Sequence, residues 1–317
     1  LRSIEDEAVA AVSRFTPTSI AHLLADYDLG ELRSFRRFTE GGVQTNLLVT
    51  TTQGRCVLRH YRNRSFDSAC FEARITHYLH ARGYPCPAPL RRRRGGFVGV
   101  HREKPYAIFT FLEGRMVRRP NAVQRAQIVQ KAAELHVLAR GYRPAGREAR
   151  WNYSVAFVRE QAASRAKAAG TPEAELRRRW IEQELDALVL PPTLPRGLCH
   201  ADFAPENLLF EGDTLVAVLD FDDANVTYLT FDLVNLMGWY GGELNFTTGR
   251  RILQEYEPHR PLTATERRHL YDVQKLQILI DCLWDFDEGD PADSKGKRKI
   301  ERLNAMGREG FYGRVFG

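Results

Sequence analysis

The chain has no run approaching the ~20 consecutive apolar residues that a membrane-crossing helix needs. Its first residues, LRSIEDEAVAAVSRF, are acidic and mixed, not a basic stretch followed by an apolar one. A soluble, non-secreted protein with no membrane partner is the expectation. Cysteine is sparse: five residues, Cys56, Cys70, Cys86, Cys199 and Cys282, odd in number, scattered and mostly set in apolar runs. That distribution fits reduced core thiols in the cytoplasm better than a disulfide framework or a zinc site. Internal repeats, low-complexity segments and nucleic-acid-binding modules are also missing. What remains is a chain of 317 residues with 43% hydrophobic content, enough to bury a sizeable core and to fill two lobes.

The informative segment is Leu194 to Asn225, LPRGLCHADFAPENLLFEGDTLVAVLDFDDAN. Within it His200, Asp202 and Asn207 form H-x-D-x-x-x-x-N. Apolar NLLF, a turn at Glu211-Gly212-Asp213 and apolar LVAVL then read as a β-hairpin leading to Asp220. With Gly212 and Asp213 as the loop, Glu211 faces Thr214, and counting back along both strands places Asn207 opposite Val218. Asn207 and Asp220 then share one open end of the hairpin, where the turn carrying Asp202 also arrives. One carboxylate there can receive a hydroxyl while an amide oxygen and a second carboxylate hold Mg²⁺, which prefers oxygen ligands, on a nucleotide's phosphates. An isolated H-x-D is more often a turn with a satisfied aspartate; three such residues joined by strand, tight turn and strand make a far more specific set. His200 is expected to bond the loop backbone, and Asp232, preceding the apolar LVNLMGWY, to support the loop as an N-cap carboxylate.

These residues resemble the protein-kinase-like superfamily, in particular its aminoglycoside phosphotransferase and choline kinase branch, and within that branch the type II homoserine kinases. The resemblance implies an α+β, two-lobed fold: a small antiparallel-sheet N-lobe with one main helix over residues 1–112, and a larger, mostly helical C-lobe over 113–317. It also implies ATP and Mg²⁺ as cofactors, Asp202 as the catalytic-loop aspartate, and Asn207 and Asp220 as metal ligands. The chain departs from D-F-G, with D-F-D at 220–222. No A-P-E follows, and Thr230-Phe231-Asp232-Leu233 comes too soon for a long activation loop. Those departures argue for a small-molecule hydroxyl acceptor over a protein substrate.

A nucleotide-binding lobe should then lie upstream. Phe38-Thr39-Glu40-Gly41-Gly42 leads through Thr45-Asn46 into LLVTT, Gly54 and Cys56-Val57-Leu58-Arg59-His60-Tyr61, a strand, turn and strand. Gly41 and Gly42 would let backbone amides approach phosphate oxygens, with Asn46 beside them, although a glycine pair in a hairpin is usually only a turn. No G-x-G-x-x-G is present. By resemblance Arg59 stands where protein kinases carry the lysine of V-A-I-K, and its planar donor fork can pair phosphate and carboxylate together. The carboxylate candidate is Glu72, on a helix from Phe66 to Arg82 that Ser65 caps and Gly83 stops. Glu72, Ile75 and Leu79 share one face at i, i+3 and i+7, which turns the charge inward. The hinge implied by the resemblance is the apolar strand before Gly114, with the Thr110 carbonyl and the Leu112 N–H contacting adenine.

The acceptor is expected to be cationic or zwitterionic. Asp222 and Asp223 follow the metal aspartate, and Asp281, Asp285, Asp287, Glu288, Asp290 and Asp293 are interleaved with Trp284 and Phe286. Asp222, Asp223 and Asp285 are the acceptor-binding candidates, the other reading of 285–293 being a solvated helix end. Homoserine, an aminoglycoside, choline and a sugar all stay open as acceptors, as does a catalytically silent nucleotide-binding interaction protein of the same fold. The net charge of +6 is spread along the chain. Its densest run, Arg91–Arg94, reads as a solvated hairpin or strand end, so no nucleic-acid partner is expected. Further helices are predicted over 121–139, 153–169, 172–188, 231–240, 246–256, 265–285 and 291–306, with His136 on the core stripe of the first of these.

Overall fold

The computed structural model describes residues 15–38, 43–242, 244–284, 286 and 295–317. Gly41, Gly42 and Asp285 lie outside them, as do the acids at 287–293. The chain divides into two compact units, one of residues up to Glu113 with Pro144–Ala149, the other of Gly114–Arg143 with Arg150–Gly317.

In the first unit, β1 (Leu32–Arg37), β2 (Thr45–Thr51), β3 (Gly54–His60), β4 (Val98–His101) and β5 (Lys104–Thr110) form an antiparallel sheet in the order β1-β2-β3-β5-β4. Period-two alternation gives the sheet two apolar faces. Tyr106 and Ile108 join Leu47, Val49, Cys56 and Leu58 against Ile20, Leu23 and Leu24 of α1 (Pro17–Leu24). Ala107 and Phe109 join Tyr61 and Val98 against Ala69 and Ala73 of α2 (Phe66–His80). Both helices start on local signals. Thr16 and Ser19 make a capping box with Pro17 in the first turn, and Ser65 accepts the Ser68 N–H. Arg91, Arg93 and Arg94 of the arginine run are exposed, as expected, while Arg92 lies 2.6 Å from Asp26 and donates to the Val98 carbonyl, tying the segment to the residues that follow α1.

The second unit holds α3 (Ala122–Leu138), α4 (Val155–Ala169), α5 (Pro172–Asp186), α6 (Thr230–Gly241), α7 (Phe246–Tyr256), α8 (Ala264–Trp284) and α9 (Lys295–Phe316). Asn121, Ser154, Thr171 and Asn245 cap four of them, each accepting a first-turn N–H. The last helix runs beyond the predicted 306 and is broken at Gly307, whose φ of 66° joins two helical pieces. No helix among the described residues is long and apolar enough to cross a membrane.

Two small sheets hold the segment of interest: β6 (Arg115–Met116), β8 (Leu208–Glu211) and β9 (Thr214–Val218) in one, β7 (Arg196–Cys199) and β10 (Asn225–Tyr228) in the other. Gly114, at φ +140°, enters β6 where a Cβ would come 2.8 Å from the Leu209 Cβ and 2.9 Å from Val216 Cγ2. In the hairpin, Glu211 faces Thr214 as the turn requires, but the register shifts between Leu209 and Phe210 because β9 carries one extra residue, Val216. Leu208, not Asn207, therefore faces Val218. The Asn207 carbonyl instead accepts the Leu219 N–H at 2.7 Å, one residue closer to Asp220 than strict counting gives.

Candidate active site

β7 delivers His200, Ala201 and Asp202. Ala201 is held at φ 68°, a left-handed conformation that costs an L-residue about 1–2 kcal/mol. The buried carboxylate of Asp232 compensates by accepting the Ala201 N–H at 2.7 Å and the His200 N–H at 3.0 Å. Asp232 is not the N-cap of its own helix. α6 begins at Thr230, and Leu229, at the cap position, makes no side-chain bond. The carboxylate supports the β7 loop because that loop presents two unpaired N–H groups inside the core, where leaving them unmet is expensive. On its other flank Asp232 Oδ2 meets His136 Nε2 at 3.0 Å, from the core stripe of α3.

His200 bridges the two arms of the site. Its Nε2 donates to the Leu219 carbonyl at 2.9 Å, so its Nδ1 is the acceptor for the Asp202 N–H at 3.2 Å. Asn207, from the turn at Pro205–Asn207, donates its amide to the Asp202 carbonyl at 3.1 Å and to Asp202 Oδ2 at 2.8 Å. That commits the amide nitrogen and leaves the amide oxygen as the group a cation can use. Asp220 also has a left-handed backbone, φ 58°, and its Oδ1 accepts the Asp222 N–H at 3.3 Å. Burial, with the negative charges of Asp223 and Asp220, pushes Asp202 up to about 7 against the opposing Asn207 hydrogen bond. Clustered carboxylates, together with a carboxamide oxygen, are a hard, anionic donor set of the kind Mg²⁺ fits.

The structure thus brings Asp202, Asn207, Asp220 and Asp223 together in the second unit. Asp222 is buried and Asp223 half-buried. In the first unit, Asn46 and Arg59 are cross-strand partners on β2 and β3, and Arg59 Nη1 lies 3.7 Å from Glu72 Oε1 on α2, both side chains buried. Thr110 ends β5 with its N–H and hydroxyl engaged with the backbone of Ala88, and Leu112 follows outside the strand.

A family model described as the phosphotransferase enzyme family matches residues 34–271, more than half of the sequence. The chain belongs to the phosphotransferase enzyme family. It is 34% identical to a homoserine kinase of Xanthobacter autotrophicus over 293 residues, 88% of each chain. It is also 34% identical to one of Rhodospirillum rubrum over 288 residues, again 88% of each, and 32% identical to one of Sinorhizobium medicae over 284 residues, 86% of this chain and 82% of the relative. Among solved structures it resembles a microcompartment-associated aminopropanol kinase, with a TM-score of 0.66 at 18% identity over 94% of this chain and 95% of that one. An amicoumacin kinase in complex with AMP-PNP and Ca²⁺ gives a TM-score of 0.65 at 15% identity, covering 98% and 96%. The fold is that of the protein-kinase-like phosphotransferases. This family member is a small-molecule kinase with a hydroxyl acceptor, and ATP is its phosphoryl donor.

Two residues of this candidate site carry no signal in the sequence. Arg150 is buried and donates Nε to the Ala224 carbonyl at 3.1 Å and Nη2 to the Phe221 carbonyl at 3.0 Å and to that of Asp222, bracing the loop after Asp220. Tyr240, on α6, donates its hydroxyl to the Phe203 carbonyl at 2.8 Å, beside Asp202. Neither stands in a periodic or motif-like setting.

Burial lowers the basicity of His200 below its ordinary value, the nearby Asp232 opposing. The unfolded chain therefore takes up this proton first as pH falls, so the His200 contribution to stability is intact above the unfolded value of about 6.5 and is lost below it. Between pH 7 and 5 the unfolding free energy of the parent is expected to fall more steeply than that of His200→Gln, by at most about 1.4 kcal/mol per pH unit. Equal slopes in denaturant titrations of the two proteins would contradict this.

Proposed function

We propose that this kinase transfers the γ-phosphate of ATP to the hydroxyl of homoserine or a closely related amino alcohol. Residues 1–112 serve the nucleotide, and 113–317 serve the acceptor and the transfer. The observation that carries the reading is the buried Asp202 carboxyl, fixed by Asn207 Nδ2 at 2.8 Å beside the charges of Asp220 and Asp223, a carboxylate placed to take a proton next to a donor set fit for a cation. The relatives named homoserine kinase, matched over most of both chains, support the acceptor.

In this reading Asp202 orients the acceptor hydroxyl and takes its proton. Asn207 and Asp220 are the residues that would hold Mg²⁺, which when bound shields the negative charge of the phosphates and of the carboxylates around it. Arg59, oriented by Glu72, neutralises phosphate charge, with Gly41, Gly42 and Asn46 also serving the phosphates. The main chain at Thr110 and Leu112 binds adenine. Asp222, Asp223 and Asp285 supply the negative charge that an ammonium group needs.

The test compares kcat/KM for L-homoserine, 3-aminopropanol, choline and kanamycin. A pocket built for a zwitterion loses a charge-assisted contact worth about 1.5–3 kcal/mol when the acceptor's carboxylate is removed, roughly tenfold to over a hundredfold. Homoserine is therefore expected to exceed 3-aminopropanol by that factor. Equal or better turnover of 3-aminopropanol would remove the homoserine reading, and preference for choline or kanamycin would move the assignment to a carboxylate-free cation.

A further inference from the structure

Behind Asp232 lies a buried chain of polar groups that the phosphotransfer chemistry leaves unexplained. His136 on α3 meets Asp232 through Nε2 and, through Nδ1, the Tyr256 hydroxyl at 2.6 Å. Tyr256 closes α7 and is reached from the following link by Arg260 Nη1 at 3.1 Å. Arg260 Nη2 in turn donates to Glu266 Oε1 at 2.6 Å. Glu266 completes a capping arrangement at the start of α8: its Oε2 accepts the Thr263 N–H at 2.9 Å, and its own N–H donates to the Thr263 hydroxyl at 3.1 Å. Asp232, His136, Tyr256, Arg260 and Glu266 are each at most 7% exposed.

The donors in this chain have one permitted direction. A guanidinium only donates, so Tyr256 Oη is the acceptor toward Arg260. The hydroxyl's other hydrogen-bond partner is His136, so its proton points to His136 Nδ1. A ring that accepts at Nδ1 carries its hydrogen on Nε2, which faces Asp232. Burial also pushes the Tyr256 hydroxyl well above its ordinary value, so it keeps the proton it donates. The other end of the chain gives the same answer, because a carboxylate already accepting two backbone N–H groups needs a donor, not an acceptor, on the His136 side. Cys199, whose thiol lies in the same cluster as His136 and Asp232, is taken up by the Tyr228 carbonyl.

We propose that Tyr256 and Arg260 are positioning residues for phosphoryl transfer: anchored by Glu266, they fix His136 in its Nε2–H form, and His136 fixes the Asp232 carboxylate that holds the loop carrying Asp202. Ala201, the residue before Asp202, is kept in its left-handed conformation by this carboxylate. A freed Asp232 lets that backbone relax and turns the Asp202 side chain with it.

Tyr256→Phe removes one hydroxyl and leaves the ring in the core. Catalytic sites are counted by titration with a fluorescent ATP analogue, so rates refer to folded, nucleotide-competent protein. The acceptor is L-homoserine or, if the parent leaves it untouched, whichever alcohol of the panel above the parent phosphorylates. An idle parent on homoserine refutes the acceptor reading and leaves the relay testable. The expected result is a fall in kcat of roughly tenfold to a hundredfold per site, the scale of a small displacement of a reacting group, with KM for ATP within about twofold of the parent. The yield of phosphorylated acceptor per ADP released should fall as well. A merely structural role lowers the number of competent sites but not kcat per site or that yield, and such a result overturns the proposal. Should Tyr256→Phe not fold, the unmodified protein decides the matter. Long-range ¹⁵N–¹H spectra of histidine-labelled chain, with the His136 signals assigned from their disappearance in His136→Gln, are expected to show the Nε2–H form. An Nδ1–H ring at His136 overturns the relay.

Discussion

Asp202→Asn is expected to lower kcat by about 10²–10⁴ while leaving ATP affinity close to that of the parent, the usual cost of losing a general base. The substitution is nearly isosteric, and the new amide can keep its oxygen toward Asn207 Nδ2, where Asp202 Oδ2 now sits at 2.8 Å. What disappears is the oxygen able to take the acceptor's proton, so the loss falls on the chemical step. Steady-state kinetics beside direct nucleotide-binding measurements separate the two quantities. Retained kcat with weakened ATP binding would mean that Asp202 serves the nucleotide and not the acceptor.

Asp220→Ala is expected to cost turnover on the order of 10³, because a bound metal contributes several kcal/mol of charge stabilisation and each ~1.4 kcal/mol is tenfold. The backbone complicates this variant in a predictable way. Asp220 sits at φ 58°, a region that aspartate and asparagine tolerate better than alanine. Asp220→Asn therefore serves as the partner variant, keeping the backbone preference while replacing the carboxylate with a neutral amide. Both should lose Mg²⁺-dependent turnover, and the alanine variant alone should also show a lowered Tm. Parent-like Mg²⁺-dependent rates in either variant would remove Asp220 from the metal site.

Much of this molecule is written in short-range signals. Ser65 starts α2, Asn121 starts α3 and Thr171 starts α5, each by accepting an N–H three residues ahead. The stripe of Glu72, Ile75 and Leu79 places Glu72 on the inward face, and the structure buries it 3.7 Å from Arg59. The turn Glu211–Thr214 is likewise local, since Gly212 supplies the positive φ it needs. In each case donor and acceptor lie within about one helical turn or one hairpin loop, so the pattern of residue types carries the geometry.

The sequence by itself determined that an H-x-D turn, an amide and a second carboxylate share one end of a hairpin, because those residues lie within 21 positions, from His200 to Asp220, on one strand-turn-strand unit. Only the tertiary structure decided how that end is held. Val216 bulges out of β9 and draws Asn207 level with Leu219, a shift that strict counting along the two strands does not contain. Arg150 reaches the carbonyls at 221–224 across more than 70 positions, and His136 reaches Asp232 and Tyr256 across 96 and 120. Such contacts join single residues from separate elements, so they follow neither the 3.6-residue nor the two-residue period by which side chains reveal their neighbours in a sequence. They exist because a buried loop must satisfy its N–H and carbonyl groups with whatever the rest of the fold brings within reach.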